Sequence, residues 1–574
     1  MSDEPSAPPT TIDARTEPDR YRHWRIEVAP PLATLRLAVD PEGGLVDGYE
    51  LKLNSYDLGV DIELADAVQR IRFEHPEVAA VIVTSELDNV FCSGANIQML
   101  AGSSHGHKVN FCKFTNETRN TMEEAASESG LGFVAAVNGT AAGGGYELAL
   151  ACGDIVMIDD RSAAVSLPEV PLLAVLPGTG GLTRVVDKRF VRRDRADAFA
   201  TRAEGLRAPQ ALDWGLVDAT ATRTDFEAAV EARARTVAED SHRARTAPGT
   251  PGIPLDAIER SIEGDRMAYE HISVSIDRHL RTAAITVRGP EGRQPTTADA
   301  LVSTGAKAWL IAAARQLDDA VFHLRFNEPD IGTWTLRTEG STDGVLAAEA
   351  TLAAAAPADD DAEGGPGHWA AVETRLLWQR VLKRLELSSR TIVALVEPGS
   401  CFAGTLAELA LVADRSYMLD GTWEDDDDAP PAPTIRLTEA NQGWYRMANG
   451  ITRLETRFWG RPDALAAAND VVGKDLLAAE ALDAELVTEA MDDLDWEDEV
   501  RVMLEERASF SPDALTAMEA NYRFVGPETM ETKIFARLSA WQNWIFQRPN
   551  AVGPDGALRR FGTGARPTYD RNRI

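Results

Sequence analysis

Asn138-Gly139-Thr140-Ala141-Ala142-Gly143-Gly144-Gly145-Tyr146-Glu147-Leu148 is the stretch from which the rest of the chain is read, and Leu167-Pro168-Glu169-Val170 follows it at short range. The apolar run Phe133 to Val137 predicts a buried strand and Tyr146 to Cys152 a helix, so the glycines occupy a strand-to-helix turn. With no side chains there, a ligand can approach bare N–H groups at the positive end of a helix, where negative charge on a carbonyl oxygen is stabilised. Two glutamates beside such a turn point to acid/base chemistry. Taken singly, each piece has a plainer reading. Glu147 serves as a dipole partner in a first helical turn, Glu169 as a strand-end surface group, and Gly143 to Gly145 as a tight turn, since no Gly-Lys-Ser/Thr follows to make a phosphate loop.

A second small-residue elbow decides between these readings. After the β-rich run Val78 to Ser85 comes Phe91-Cys92-Ser93-Gly94-Ala95-Asn96-Ile97, and downstream of both stands Pro177-Gly178-Thr179-Gly180-Gly181-Leu182-Thr183-Arg184. Together the blocks resemble the crotonase (enoyl-CoA hydratase/isomerase) superfamily. The resemblance implies an acyl-CoA thioester whose oxygen is held by the main-chain amides of Ala95 and Gly144, with Glu147 and Glu169 matching the glutamates that position and activate water.

At 574 residues the chain is about twice what one such domain requires. A weak tandem copy accounts for the excess. Ile71-Arg72-Phe73-Glu74-His75-Pro76-Glu77-Val78 recurs as Leu324-Arg325-Phe326-Asn327-Glu328-Pro329-Asp330-Ile331, both running into strands that end at Glu86 and Glu339. Glu147-Leu148-Ala149-Leu150 returns as Glu408-Leu409-Ala410-Leu411, and Leu182-Thr183-Arg184 as Ile451-Thr452-Arg453. The expected fold is therefore α/β, with tandem crotonase-like ββα spiral cores, the second degenerate, and helical extensions. In the second copy the glycine turn reads Cys401-Phe402-Ala403-Gly404-Thr405 and the elbow Gly340-Ser341-Thr342-Asp343-Gly344, with glutamates kept at 408 and 439. Phe402 is expected to obstruct the oxygen site, leaving this half a scaffold. The expected organisation is a flexible arm at 1–20, a catalytic core at 21–190, a helical extension and linker at 191–256, the degenerate core at 257–456, and a helical C-terminal region at 457–574.

Three further blocks resemble the benzoyl-CoA-dihydrodiol lyase (2,3-epoxybenzoyl-CoA dihydrolase) family within that superfamily: Val109 to Asn120, Ser166 to Leu173, and Gln542 to Gly553. That resemblance implies opening of a benzoyl-CoA epoxide with water, loss of one carbon as formate, and an aliphatic semialdehyde still attached to CoA. It also implies a homodimer and no cofactor beyond the CoA of the substrate. An enoyl-CoA hydratase or isomerase acting on another acyl group is equally permitted by the two glutamates alone, and a non-enzymatic scaffold is disfavoured by the intact first copy.

The segment Gly102 to Asn120 is expected to be a loop that governs substrate selectivity, with Asn116 and Arg119 as contacts; Lys52 and Asn54 are weaker candidates by family position. His105 and His107 make a poor metal motif, and no C-x-x-C, H-E-x-x-H or dinucleotide fingerprint stands in a convincing context, so no metal is expected. A balance of 58 basic against 91 acidic residues argues against nucleic acid or an anionic membrane as partner and also fits a salty cytoplasm. The acidic runs Asp359 to Glu363 and Glu424 to Asp428 read as solvated loops, and Cys92, Cys112, Cys152 and Cys401 as reduced, packed thiols. The N-terminal stretch lacks a secretory apolar core and no run is long enough to span a bilayer, so a cytoplasmic protein is expected.

Overall fold

The computed structural model describes residues 11–246, 249–355, 368–423 and 428–574. The chain divides into two compact units, Met1–Ala257 and Ile258–Ile574. Residues 1–10, the acidic run at 359–363 and residues 424–427 lie outside the described residues.

In the first unit a main sheet runs in the order Trp24–Ala29, Leu32–Leu37, Ala80–Ser85, Gly132–Val137, Asp154–Ile158, Ala219–Ala221. The first pair is antiparallel and every later pair is parallel. Strands buried on both faces read as continuous apolar runs, which is why Phe133 to Val137 is uninterrupted. A smaller sheet of Asn89–Cys92, Gly139–Ala142, Ala164–Ser166 and Leu206–Arg207 carries the loops that build the site. A third ladder, Ser55–Tyr56 with Gly94–Ala95, is parallel and two residues long.

Three expectations change here. Residues 105–128 are a 24-residue helix rather than a loop. Ser104 caps it by accepting from His107 N–H at 3.1 Å, and Phe111, Thr115, Thr118, Met122 and Ala125 form its buried face, packed on the helix Leu58–Glu74. The stretch 191–256 is not merely a helical extension, because Ala219–Ala221 is the outermost strand of the main sheet and the helix Phe226–Asp240 packs on that sheet. The described part of the N-terminal arm is docked: Ile12 is buried and the Thr16 carbonyl accepts from Arg70 at 3.4 Å.

The second unit holds one eight-stranded sheet in the order Ser261–Glu263, Arg266–Ala268, Ile272–Asp277, Thr282–Arg288, Thr333–Glu339, Thr391–Val396, Arg415–Leu419, Glu489–Met491. Its last six strands repeat the pairing pattern of the first unit, one antiparallel pair followed by parallel ones. After 457 the regular elements are helices apart from Glu489–Met491, which closes this sheet and is too short for its period to be read in sequence, and residues 561–574 form neither helix nor strand.

Candidate functional site

The site is built on three consecutive glycines, each walled on the side where a Cβ would stand. A Cβ on Gly143 would lie 2.6 Å from Glu169 Oε1, one on Gly144 2.0 Å from the Tyr56 hydroxyl oxygen, and one on Gly145 2.2 Å from the Cys92 carbonyl oxygen. Gly143 also has φ +53°, a conformation that glycine adopts without strain. From it springs the wholly buried helix Gly144–Ala151, in which Gly144 is the first residue and its N–H has no intrahelical acceptor. The other elbow stacks on this turn, since a Cβ on Gly94 would lie 2.8 Å from both Gly144 N and the Ala142 carbonyl oxygen. Asn96 N–H donates to the Tyr56 carbonyl at 2.8 Å, so strand alternation turns the neighbouring Ala95 N–H to the opposite side of that ladder. The structure thus brings Ala95, Gly144 and Glu169 to one place, with Glu147 one helical turn away.

The two glutamates are held differently. Glu147 is 2 % exposed, and its Oε1 accepts from Thr179 N–H at 3.0 Å and from Gly181 N–H at 2.7 Å, while Oε2 accepts from the Thr179 hydroxyl. This explains the Gly-Thr-Gly-Gly block: Thr179 and Gly181 clamp the carboxylate, a role for which their own sequence carries no signal. Glu169 reaches the turn because Gly143 N–H bonds the Ser166 carbonyl at 2.9 Å, bringing the segment after Ser166 alongside. Burial, and then the nearby Glu147, push the Glu169 carboxyl up to about 7. Its Oε2 is buried with no hydrogen-bond partner among the described residues. Beyond it the short helix Glu169–Leu173 and its exit expose Val170, Leu172, Val175 and Leu176, an apolar rim beside a polar centre.

The remaining candidates are placed less directly. Lys52 is largely exposed and paired with Glu50 at 2.9 Å. Asn54 is a strut, 1 % exposed, donating to Ser85 Oγ at 2.9 Å and to the Phe91 carbonyl at 3.2 Å while its own oxygen accepts from Val39 N–H. Asn116 ties down the loop before Thr179 through the Gly178 carbonyl at 3.0 Å. Arg119, at 1 % exposure, faces inward and donates to the Gly144 carbonyl, so it backs the turn from within. Arg184 goes to Glu123, with two bonds of 2.8 Å.

In the second unit, Gly404 has φ +48° and opens the short turn Gly404–Leu406 that precedes the helix Glu408–Leu411. There the facing carboxylate is Glu349, from the helix Thr342–Ala355 that replaces the second elbow. It accepts from Thr405 N–H at 2.6 Å, the Thr405 hydroxyl at 2.9 Å and the Thr438 hydroxyl at 2.6 Å. Phe402 is a buried strand residue and not the obstruction; Glu349 occupies the amide, and Glu439 points to solvent. Glu408 pairs with Arg453 at 2.8 Å, both 1 % exposed.

All four cysteines are free, and burial pushes the Cys92 and Cys152 thiols up to about 12. Among the described residues no three His, Cys, Asp or Glu side chains are placed to hold a metal ion, and no helix is long and apolar enough to cross a membrane.

Residues 50–247 match the family model described as Enoyl-CoA hydratase/isomerase. Over 563 residues the chain is 52 % identical to benzoyl-CoA-dihydrodiol lyase of Aromatoleum evansii, covering 98 % of each protein. It is 34 % identical over 247 residues to the fatty acid oxidation complex subunit alpha of Pseudomonas aeruginosa, spanning 40 % of this chain and 31 % of that longer one. Among solved structures, an enoyl-CoA hydratase from Bacillus anthracis aligns at 25 % identity and TM-score 0.33 over 38 % of this chain and 77 % of its own.

Proposed function

The chain belongs to the benzoyl-CoA-dihydrodiol lyase family, and on that premise we propose that it opens 2,3-epoxybenzoyl-CoA, with uptake of water twice over, to formate and 3,4-dehydroadipyl-CoA semialdehyde, in aerobic breakdown of benzoate through benzoyl-CoA. Its N-terminal unit has a crotonase-like α/β fold. The observation that carries the mechanism is the Glu169 carboxyl set against the glycine turn from which the helix of Glu147 starts, its Oε2 buried with no hydrogen-bond partner among the described residues. The amides of Ala95 and Gly144 hold the thioester oxygen, making the carbonyl an electron sink for charge pushed into it during C–C scission. Glu169, a substantial fraction of it protonated at neutral pH, delivers that proton to the departing epoxide oxygen. Glu147, clamped by Thr179 and Gly181, accepts a proton from attacking water. The apolar rim from Val170 to Leu176 covers the ring. No metal or bound cofactor enters the scheme, CoA being part of the substrate.

The second unit, on this reading, is a degenerate copy of the first that serves as scaffold, and the enzyme is a cytoplasmic homodimer. The repeated strand order supports the copy, and the Glu349 carboxylate on the Thr405 amide supports its loss of activity. Incubation with 2,3-epoxybenzoyl-CoA and, separately, with crotonyl-CoA tests the assignment: formate is expected from the first. Hydration of crotonyl-CoA without formate from the epoxide moves the chain to the enoyl-CoA hydratases, and silence with both makes it a scaffold.

A further inference from the structure

We infer that Tyr56 is the positioning residue that sets the spacing between the Ala95 and Gly144 amides, with Arg119 as its anchor; the inference rests on the reading of those amides as the acyl-oxygen donors. Tyr56 is joined to both halves of the site. Its backbone pairs with Ala95, and its carbonyl accepts from Asn96 N–H at 2.8 Å. Its side chain crosses to the other half, where the hydroxyl fills the space a Cβ on Gly144 would need, 2.0 Å from that position. The Arg119 guanidinium then ties hydroxyl and turn together, one nitrogen donating at 3.1 Å to the Tyr56 oxygen and at 3.1 Å to the Gly144 carbonyl.

The brace is closed to solvent and internally neutralised. Tyr56 is 3 % exposed and lies against the Phe111 ring at 5.8 Å, and the charge of Arg119 is answered by buried Asp61 at 3.7 Å. Asp61 is held in turn by the Thr115 hydroxyl on the same helix as Arg119. The pairing of Asn89–Cys92 with Gly139–Ala142 brings the two loops side by side but does not fix the separation of amides that lie beyond the strand ends, and donors displaced by even 1 Å lose on the order of 100-fold in rate. A rigid ring with a charged anchor fixes that separation.

Tyr56→Phe keeps the ring and removes the hydroxyl. The expected result is a fall in kcat of roughly 10-fold or more with KM within about 3-fold, because the loss falls on charge that develops in the transition state. Benzoyl-CoA labelled with 13C at the thioester carbonyl gives the readout that a merely structural role would not move: its infrared stretch is lowered when bound to the wild type and less lowered in Tyr56→Phe. Arg119→Lys, which keeps the charge and loses the fork, shifts the stretch in the same direction. A wild-type shift that both variants reproduce in full, with unchanged kcat, overturns the brace and leaves the amide reading intact. An unshifted stretch in the wild type overturns the amide reading and the brace with it.

Discussion

Two glycine turns with nearly equal φ, at Gly143 with +53° and Gly404 with +48°, end up with opposite fates. Each starts a helix whose first amides look for an acceptor. In the second unit Glu349 answers that demand with its own carboxylate, held by Thr405 and Thr438. In the first unit the elbow Gly94–Ala95 stacks where the second unit has its helix Thr342–Ala355, and Glu169 comes up beside the turn. The arginines diverge as well: Arg453 is shared between Glu408 and Glu386, while Arg184 is drawn away to Glu123 and leaves Glu147 to the neutral donors of Thr179 and Gly181. A helix start therefore becomes a closed strut or an open site according to which carboxylate the surrounding chain delivers.

The comparison breaks first at the glutamates. Glu147→Ala and Glu169→Ala should each lower the rate of formate release by about 100-fold or more, the usual share of a positioned acid or base; release at near the wild-type rate from either removes that carboxyl from the mechanism. Glu408→Ala should do the reverse, with kcat within about 2-fold of wild type but a loss of roughly 1–3 kcal/mol in stability, because it takes a buried acceptor from Asn441 and Arg453 while Glu386, at 2.6 Å, keeps the Arg453 charge paired. Chemical denaturation beside turnover measures both, and a Glu408 variant as inactive as Glu147→Ala erases the distinction between the units.

Smaller effects sharpen it. Glu349→Ala should destabilise the second unit by about 1–3 kcal/mol, since it leaves the buried Thr405 N–H without its acceptor. Added acetate should restore part of the melting temperature, and chloride should not; equal response to both salts would mean that no carboxylate site opens. Glu169→Gln tests the raised carboxyl through pH. With a folded pKa of about 7 against an ordinary 4.5, wild-type Glu169 keeps a proton that the unfolded chain has lost. Stability from this group is then full below 4.5 and is lost as pH rises through about 7. The Gln variant should be more stable than wild type at pH 8, by on the order of 1 kcal/mol after allowance for solvent screening, with the difference vanishing towards pH 4. In the wild type kcat/KM should fall as pH passes above about 7.

The glycine block was legible because three adjacent glycines before a helix have few uses, and the pair Glu147 and Glu169 could be placed beside them by order and spacing. Arg119 was legible as a residue of interest but not in its direction. Residues 105–128 begin His-Gly-His-Lys, a poor helix start, and their apolar period emerges only after Asn110, so helix and inward-facing guanidinium were both missed. Glu349 was invisible for a related reason. It stands in an alanine-rich helix where a lone glutamate reads as solvent-facing, and only the approach of Thr405 and Thr438 makes it a buried acceptor. Tyr56 occupies a two-residue strand with no period of its own.

By itself the sequence determined that two α/β units follow one another, that a glycine turn opens a helix in each, and which glutamates accompany the first turn. These are properties of backbone freedom and side-chain period, which act over a few residues. Only the tertiary structure decided that Glu349 fills the amide of the second turn, that Arg119 and Tyr56 brace the first, and that Glu169 sits where burial and Glu147 raise its carboxyl. Those outcomes depend on desolvation and hydrogen-bond geometry between groups distant in the chain, and distance in the chain carries no record of either.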